Sequence, residues 1–161
     1  MKLLFWKNLI LLSGLLGLIA ACAKPPPPED ATSEYSTSNG GLIYLNTDDA
    51  FHVAFESAAA PDAFWCAAGE YARDVIGFPE DVSIRRQTGL LIAETGVFDD
   101  PNGPSRKLRL PDNRVIFTRA DKRHLLDFRP AGSRLYGENI GYFSGSLSET
   151  TVTGAVALCA G

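Results

Sequence analysis

An α+β fold, with one main helix packed on a mostly antiparallel β-sheet, is what the 161-residue chain predicts. Two patterns carry the prediction. Residues 61–77 repeat their apolar side chains at helical spacing, between a proline start and a glycine stop. On either side, from Leu42 and again from Val82, short apolar runs are punctuated by turn residues at strand-like spacing.

The first stretch belongs to neither pattern. Met1 to Ala21 has a positive start (Lys2, Lys7), an apolar core over residues 9–19 and a small-residue end, the layout of a secretory signal. Ser13, Gly14 and Gly17 interrupt the core, which is short beside the ~20 apolar residues of a spanning helix. Ile19, Ala20 and Ala21 run directly into Cys22. This tetrapeptide resembles the lipobox of bacterial lipoproteins. The resemblance covers about the first 22 residues, and residues 42–161 are not assigned to a characterised family. It implies a signal peptide over residues 1–21, a diacylglyceryl thioether on Cys22 and a fatty acyl group (palmitate) on the freed amine. Two or more chains hold a protein stably at a bilayer where one does not. Ala23, rather than Asp, follows the cysteine; by the sorting rule of enteric lipoproteins that implies the periplasmic face of the outer membrane.

Removing the leader takes Lys2 and Lys7 with it and leaves 13 basic against 19 acidic residues, a net charge of −6. A net-acidic chain outside the cytoplasm argues against nucleic-acid partners. With Cys22 assigned to lipid, the three cysteines reduce to one pair, Cys66 and Cys159. In an oxidising compartment that pair is expected as a disulfide.

Residues 22–41 read as the lipidated N-terminus and a disordered tether: four prolines at 25–28, then a polar stretch whose one large apolar group is Tyr35. A single periplasmic α+β domain is expected over residues 42–161, long enough for a core of its own. It opens with a short strand at 42–45. A half-buried strand follows, in which Phe51, Val53 and Phe55 alternate with His52, Ala54 and Glu56.

Pro61 and Asp62 suit a helix start, and Gly77, Phe78 and Pro79 suit its end. Phe64, Trp65, Ala68, Ala72, Val75 and Ile76 share one face of that helix; Cys66, Glu70, Arg73 and Asp74 fall on the polar side. A bridge from Cys66 would clamp a neighbour against the helix flank, and Gly69 leaves room for the approach. After Val82 the expected elements are a strand at 82–88, another at 89–95, a loop at 99–104 and a hairpin of 106–110 with 114–119. One or two helical turns at 120–127 and a last strand near 151–159 complete the set. The face of that strand bearing Thr153, Ala155, Ala157 and Cys159 is small enough to lie close to the 61–77 helix.

Catalytic patterns are scarce. His52 and His124 are the two histidines, and no HxxxH, CxxC, GxSxG, SxxK or GxGxxG spacing is present, so no metal site, cofactor or catalytic residue is assigned. The acidic loop at 99–103 lacks the ligand spacing and distal glutamate of an EF-hand. Charge order is more informative. Residues 29–81 hold eleven acids and one base; residues 85–134 hold eleven bases and six acids. Arg106, Lys107, Arg109, Arg114 and Arg119 are the candidate face for an anionic partner: an envelope protein, peptidoglycan or anionic lipid. The competing expectation is that these bases pair with the acidic half of their own domain. Functionally, the sequence favours a non-enzymatic binding or envelope-maintenance module anchored at the membrane. A periplasmic inhibitor or ligand-binding lipoprotein comes second, and a hydrolase with dispersed catalytic residues third.

Overall fold

A computed structural model describes residues 27–44, 50–92, 97–100, 103–122 and 138–160, with only the backbone described within 97–107. The signal stretch, Cys22 and His124 lie outside these residues. Among the described residues, no helix is long and apolar enough to cross a membrane.

The fold is α+β. Its first strands are β1 (Glu29–Asp30), β2 (Tyr35–Ser36), β3 (Leu42–Tyr44) and β4 (Ala50–Ala54). Helix α1 (Pro61–Tyr71) follows and widens into a π-helical turn at Ala72–Ile76. Next come β5 (Ser83–Arg86), β6 (Leu90–Leu91), β7 (Val97–Asp100), β8 (Gly103–Arg109) and β9 (Arg114–Arg119). The chain continues through β10 (Glu138–Asn139), a 3-10 turn at Ile140–Phe143 and β11 (Glu149–Thr151), then α2 (Val152–Ala157) and a 3-10 segment at Leu158–Ala160.

The larger sheet runs β10-β6-β9-β4-β3-β2, with β5 also paired to β9 and β11 to β5. Its described pairings are all antiparallel. The smaller sheet, β1-β8-β7, is antiparallel between β7 and β8 but parallel between β1 and β8. Strand β4 pairs along its whole length with β9, from Ala50↔Thr118 to Ala54↔Arg114. It is buried throughout rather than half-buried, because both of its faces are covered. That burial includes His52, which a half-buried strand would leave on its open side.

Helix α1 starts and stops where its residue types predict. Pro61 stands in the first turn, and Gly77 takes the left-handed conformation at φ 77° as the C-terminal cap. Phe78 then donates its N–H back to the Ala72 carbonyl at 2.8 Å. Phe64, Trp65, Ala68, Tyr71 and Ala72 pack toward the sheet, where Trp65 meets Phe117 edge-on at 4.9 Å and Tyr71 meets Phe51 at 5.0 Å.

The polar side expected for this helix is not there along most of its length. Residues 64–71 are all buried, Cys66 and Glu70 included, since further segments cover both flanks. Only beyond Ala72 does the helix emerge: Arg73 and Asp74 are exposed and paired, and Val75, expected inward, is 48% exposed.

Other expectations change, among them the loop at 99–104, whose two ends fall in β7 and β8. The stretch 151–159 forms α2 rather than a strand. Thr151 accepts the Gly154 N–H at 3.0 Å as an N-cap, and Val152 and Ala155, three apart, turn into the core. Alternation and helical spacing are hard to separate over so few small residues. The hairpin of 106–110 with 114–119 does not form: β8 joins the smaller sheet and β9 the larger. The break falls at Pro111–Asn113, where Asn113 adopts φ 56°. Finally, the domain boundary expected at Leu42 moves upstream. Strands β1 and β2 join the sheets, Thr37 is buried, and Tyr35 packs 5.6 Å from Tyr71, so part of the expected tether is folded.

Candidate functional site

The most tightly organised cluster lies along α1, whose two flanks each carry a stripe of residues. Ala63, Ala67 and Glu70, at helical spacing, face the turn 37–41. That turn closes by Thr37 N–H to Gly41 carbonyl at 2.8 Å and Gly40 N–H to Thr37 carbonyl at 3.0 Å. Gly40 sits at φ 82°, a conformation that glycine adopts freely. Asn39 Nδ2 donates to the Ala63 carbonyl at 2.9 Å. Ser38 donates twice to Glu70, from its N–H to Oε1 at 2.8 Å and from its hydroxyl to Oε2 at 2.6 Å. A side chain on Gly41 would collide with Ala67, its Cβ falling 2.6 Å from the Ala67 Cβ.

The other flank carries Cys66 and Gly69, three apart, facing α2 and the 3-10 segment after it. Cys66 is bonded to Cys159 as the cysteine count predicts, with their Cα atoms 4.9 Å apart. A Cβ on Gly69 would stand 2.7 Å from Ala155 Cβ and 2.8 Å from Val156 N, so the glycine is what lets α2 lie this close. The expected proximity of residues 151–159 to α1 therefore holds, although the approaching element is a helix. The two sulfurs and the Glu70 carboxylate lie within 4.8 Å of one another. Two segments distant in sequence, 37–41 and 152–160, are thus fastened to one helix, by a charge-assisted hydrogen-bond pair on one flank and a covalent bond on the other.

The five candidate basic residues are not brought onto one face. Arg106, Lys107 and Arg109 share β8, with Arg109 exposed and 3.8 Å from Asp30 across the β1–β8 pairing. Arg114 is a correction: it is 1% exposed, in a strand whose two faces are both covered, and is unsuited to meeting a partner. It donates from Nη1 to the Pro111 carbonyl at 2.9 Å, and burial pulls its guanidinium down to about 10 against the opposing pull of Asp112. Arg119 is half-buried, 2.8 Å from Asp121, with its guanidinium 5.4 Å from the Phe78 ring.

Arg119 and Asp121 line an open cleft of ≈ 380 Å³ with Val82, Ser83, Ala120 and Glu149. Its charges are matched in place, Arg119 by Asp121 and Glu149 by Arg85 at 3.1 Å, and His52 is not among its described lining residues. A second polar group stands at Arg86, which donates to the Thr88 carbonyl at 2.6 Å and stacks 4.3 Å over Phe143. Burial lowers the Arg86 guanidinium while Glu138 opposes the shift, and Glu138 itself accepts the Gly89 N–H. The Gly89–Glu138 hydrogen bond ties the start of β6 to β10.

Sequence reasoning found the cysteine pair and missed Glu70 and Ser38. Glu70 was assigned to the solvated side of the helix and Ser38 to the tether. The available signal was the spacing of Cys66 and Glu70, four apart on one helix and so within reach of a common point. No protein-family model, curated protein or solved structure matches the chain.

Proposed function

We propose that the protein is a lipid-anchored module of the bacterial envelope, held through Cys22 and acting as a binding or envelope-maintenance unit rather than as an enzyme. The observation that carries this reading is the tetrapeptide Ile19, Ala20, Ala21, Cys22 at the end of a secretory leader. Given such an anchor, the pairing of β1 with β8 fixes which residues would lie near it. Residues 23–28 separate Cys22 from the start of the described fold, and six extended residues reach at most about 22 Å. An anchor at Cys22 would therefore keep β1, and with it Arg106, Lys107 and Arg109 of β8, close to the headgroups. Basic residues at such a distance gain about 1 kcal/mol each from an anionic leaflet.

The deciding experiment is membrane fractionation with mass analysis of the N-terminal peptide. The native chain is expected in the membrane fraction with an acylated Cys22; Cys22→Ala should be soluble and unacylated. An unmodified Cys22 in the native chain, or membrane retention of the variant at full level, overturns the anchor. For the partner, reversing Arg106, Lys107 and Arg109 to Glu should weaken binding of Cys22→Ala protein to phosphatidylglycerol vesicles, leaving phosphatidylcholine binding unchanged. Equal binding by the reversed variant removes the membrane from the candidate partners.

A further inference from the structure

We infer that the fastening on α1 has a second chemical state: with the Cys66–Cys159 bond reduced, the two thiolates and the Glu70 carboxylate form a binding site for a zinc-like divalent cation. Cys66 and Glu70 are four apart on one helix, so a rigid element presents two of the three donors from one side. The third, Cys159, comes from the 3-10 segment packed against Cys66, and the three donor atoms lie within 4.8 Å of one another. Thiolates about 2.3 Å and carboxylate oxygens about 2.0–2.2 Å from a tetrahedral Zn2+ stand roughly 3.5–4 Å apart, so small shifts complete the set. Water would take the fourth position.

Two features argue that the donors stay assembled once the bond is broken. Val152 and Ala155 remain core residues, and the Gly69–Ala155 contact keeps α2 seated, so Cys159 is held near Cys66 by packing as well as by sulfur. Ser38 grips both oxygens of Glu70 and orients the carboxylate from outside, as the hydrogen-bonding partners of metal ligands commonly do. Access is one-sided: Cys66 is buried and Cys159 exposed, so a reductant reaches the bond through residue 159.

The chemistry balances with a phosphine as reductant. Phosphine and one water convert the disulfide to two thiols and a phosphine oxide, the phosphorus losing the two electrons that the sulfurs gain. The cation then binds the two sulfurs in place of the thiol protons, which pass to solvent, and no electron is gained or lost. In the oxidised chain both sulfurs are committed to each other, so thiol redox state gates the site.

The test uses the full chain in detergent with Co2+ as the probe, under anaerobic phosphine. The oxidised chain should give no cobalt–thiolate charge-transfer band. The reduced chain should give that band together with the visible bands of tetrahedral Co2+, saturating at one equivalent. Cys66→Ser should abolish the signal. Glu70→Gln and Ser38→Ala should each weaken binding by about tenfold or more while keeping both thiols. Circular dichroism accompanies each titration: a reduced chain that loses helicity should regain it on adding Co2+. Overturning results are the same band in oxidised protein, no band in reduced protein, undiminished affinity in Glu70→Gln and Ser38→Ala, or helicity that Co2+ does not restore.

Discussion

The two faces of the β4–β9 pair are built from the same alternating strands and buried to similar degrees, yet they are held by different physics. On the face toward α1 stand Phe51, Val53, Val115 and Phe117, in contact with Trp65, Phe64 and Tyr71. On the opposite face, the register Ala50↔Thr118, His52↔Ile116 and Ala54↔Arg114 mixes apolar groups with buried polar ones. Apolar burial at ~25 cal/mol per Å2 makes the first face the main source of stability. Buried polar groups contribute little net energy even when bonded, so the second face adds less for the same area. Burial alone is a poor guide to what a residue contributes; the atoms being buried decide it.

The comparison breaks first at Trp65. Trp65→Ala empties the centre of the α1 face and should cost about 3–5 kcal/mol, read as a lower midpoint in chemical denaturation with an unchanged slope. A cost below about 1 kcal/mol would mean that the aromatic face is not where the energy lies.

Next in size is the fastening on the same side. Replacing both Cys66 and Cys159 by Ala removes a bridge across 93 positions of chain and should cost about 2–4 kcal/mol under oxidising conditions. Under reducing conditions the native chain and the double variant should unfold at nearly the same denaturant concentration. A difference that survives reduction would assign the effect to packing at residue 66 instead.

The smallest effect is expected across the sheet. Arg114→Met keeps the volume of a long side chain and removes a desolvated charge, so its cost at neutral pH should stay within about 1.5 kcal/mol. Its pH dependence sharpens the point. The folded value near 10 lies below the ordinary guanidinium value, so between them the unfolded chain holds the extra proton. Raising pH through that window therefore favours the folded state, and the penalty present below about 10 is relieved. Tyr44 and Tyr142, both raised chiefly by burial, work in the opposite direction in native and variant alike. The stability of native protein minus that of Arg114→Met should accordingly climb above pH 10. A flat difference would place Arg114 in a solvated setting and erase the contrast between the faces.

Local signals were legible where one short segment decides its own state. Strands β3, β4 and β5 announce themselves by alternation and turn residues, and α1 by Pro61, its apolar spacing and Gly77. The disulfide was legible by elimination, once Cys22 was set aside for lipid. What failed depended on partners. Cys66 and Glu70 looked solvent-facing because an amphipathic helix is assumed to have one covering surface, and α1 has three. Arg114 looked like one base among several because no charge pattern tells which strand will be central. Residues 106–110 and 114–119 looked like a hairpin because adjacency in sequence usually means adjacency in a sheet, whereas β8 found β1 and β7 instead.

By itself, the amino-acid sequence determined the α+β class, the position of the main helix and the pairing of Cys66 with Cys159. Each of these rests on residue types whose preferences act over a few positions or on a simple count. The tertiary structure alone decided that 151–159 coils into a helix, that Ser38 reaches Glu70, and that three potential metal donors converge beside α1. Those outcomes follow from which surfaces become buried together. Burial is a property of the assembled chain, set by contacts between residues as far apart as Ser38 and Glu70 or Cys66 and Cys159, and no local preference encodes it.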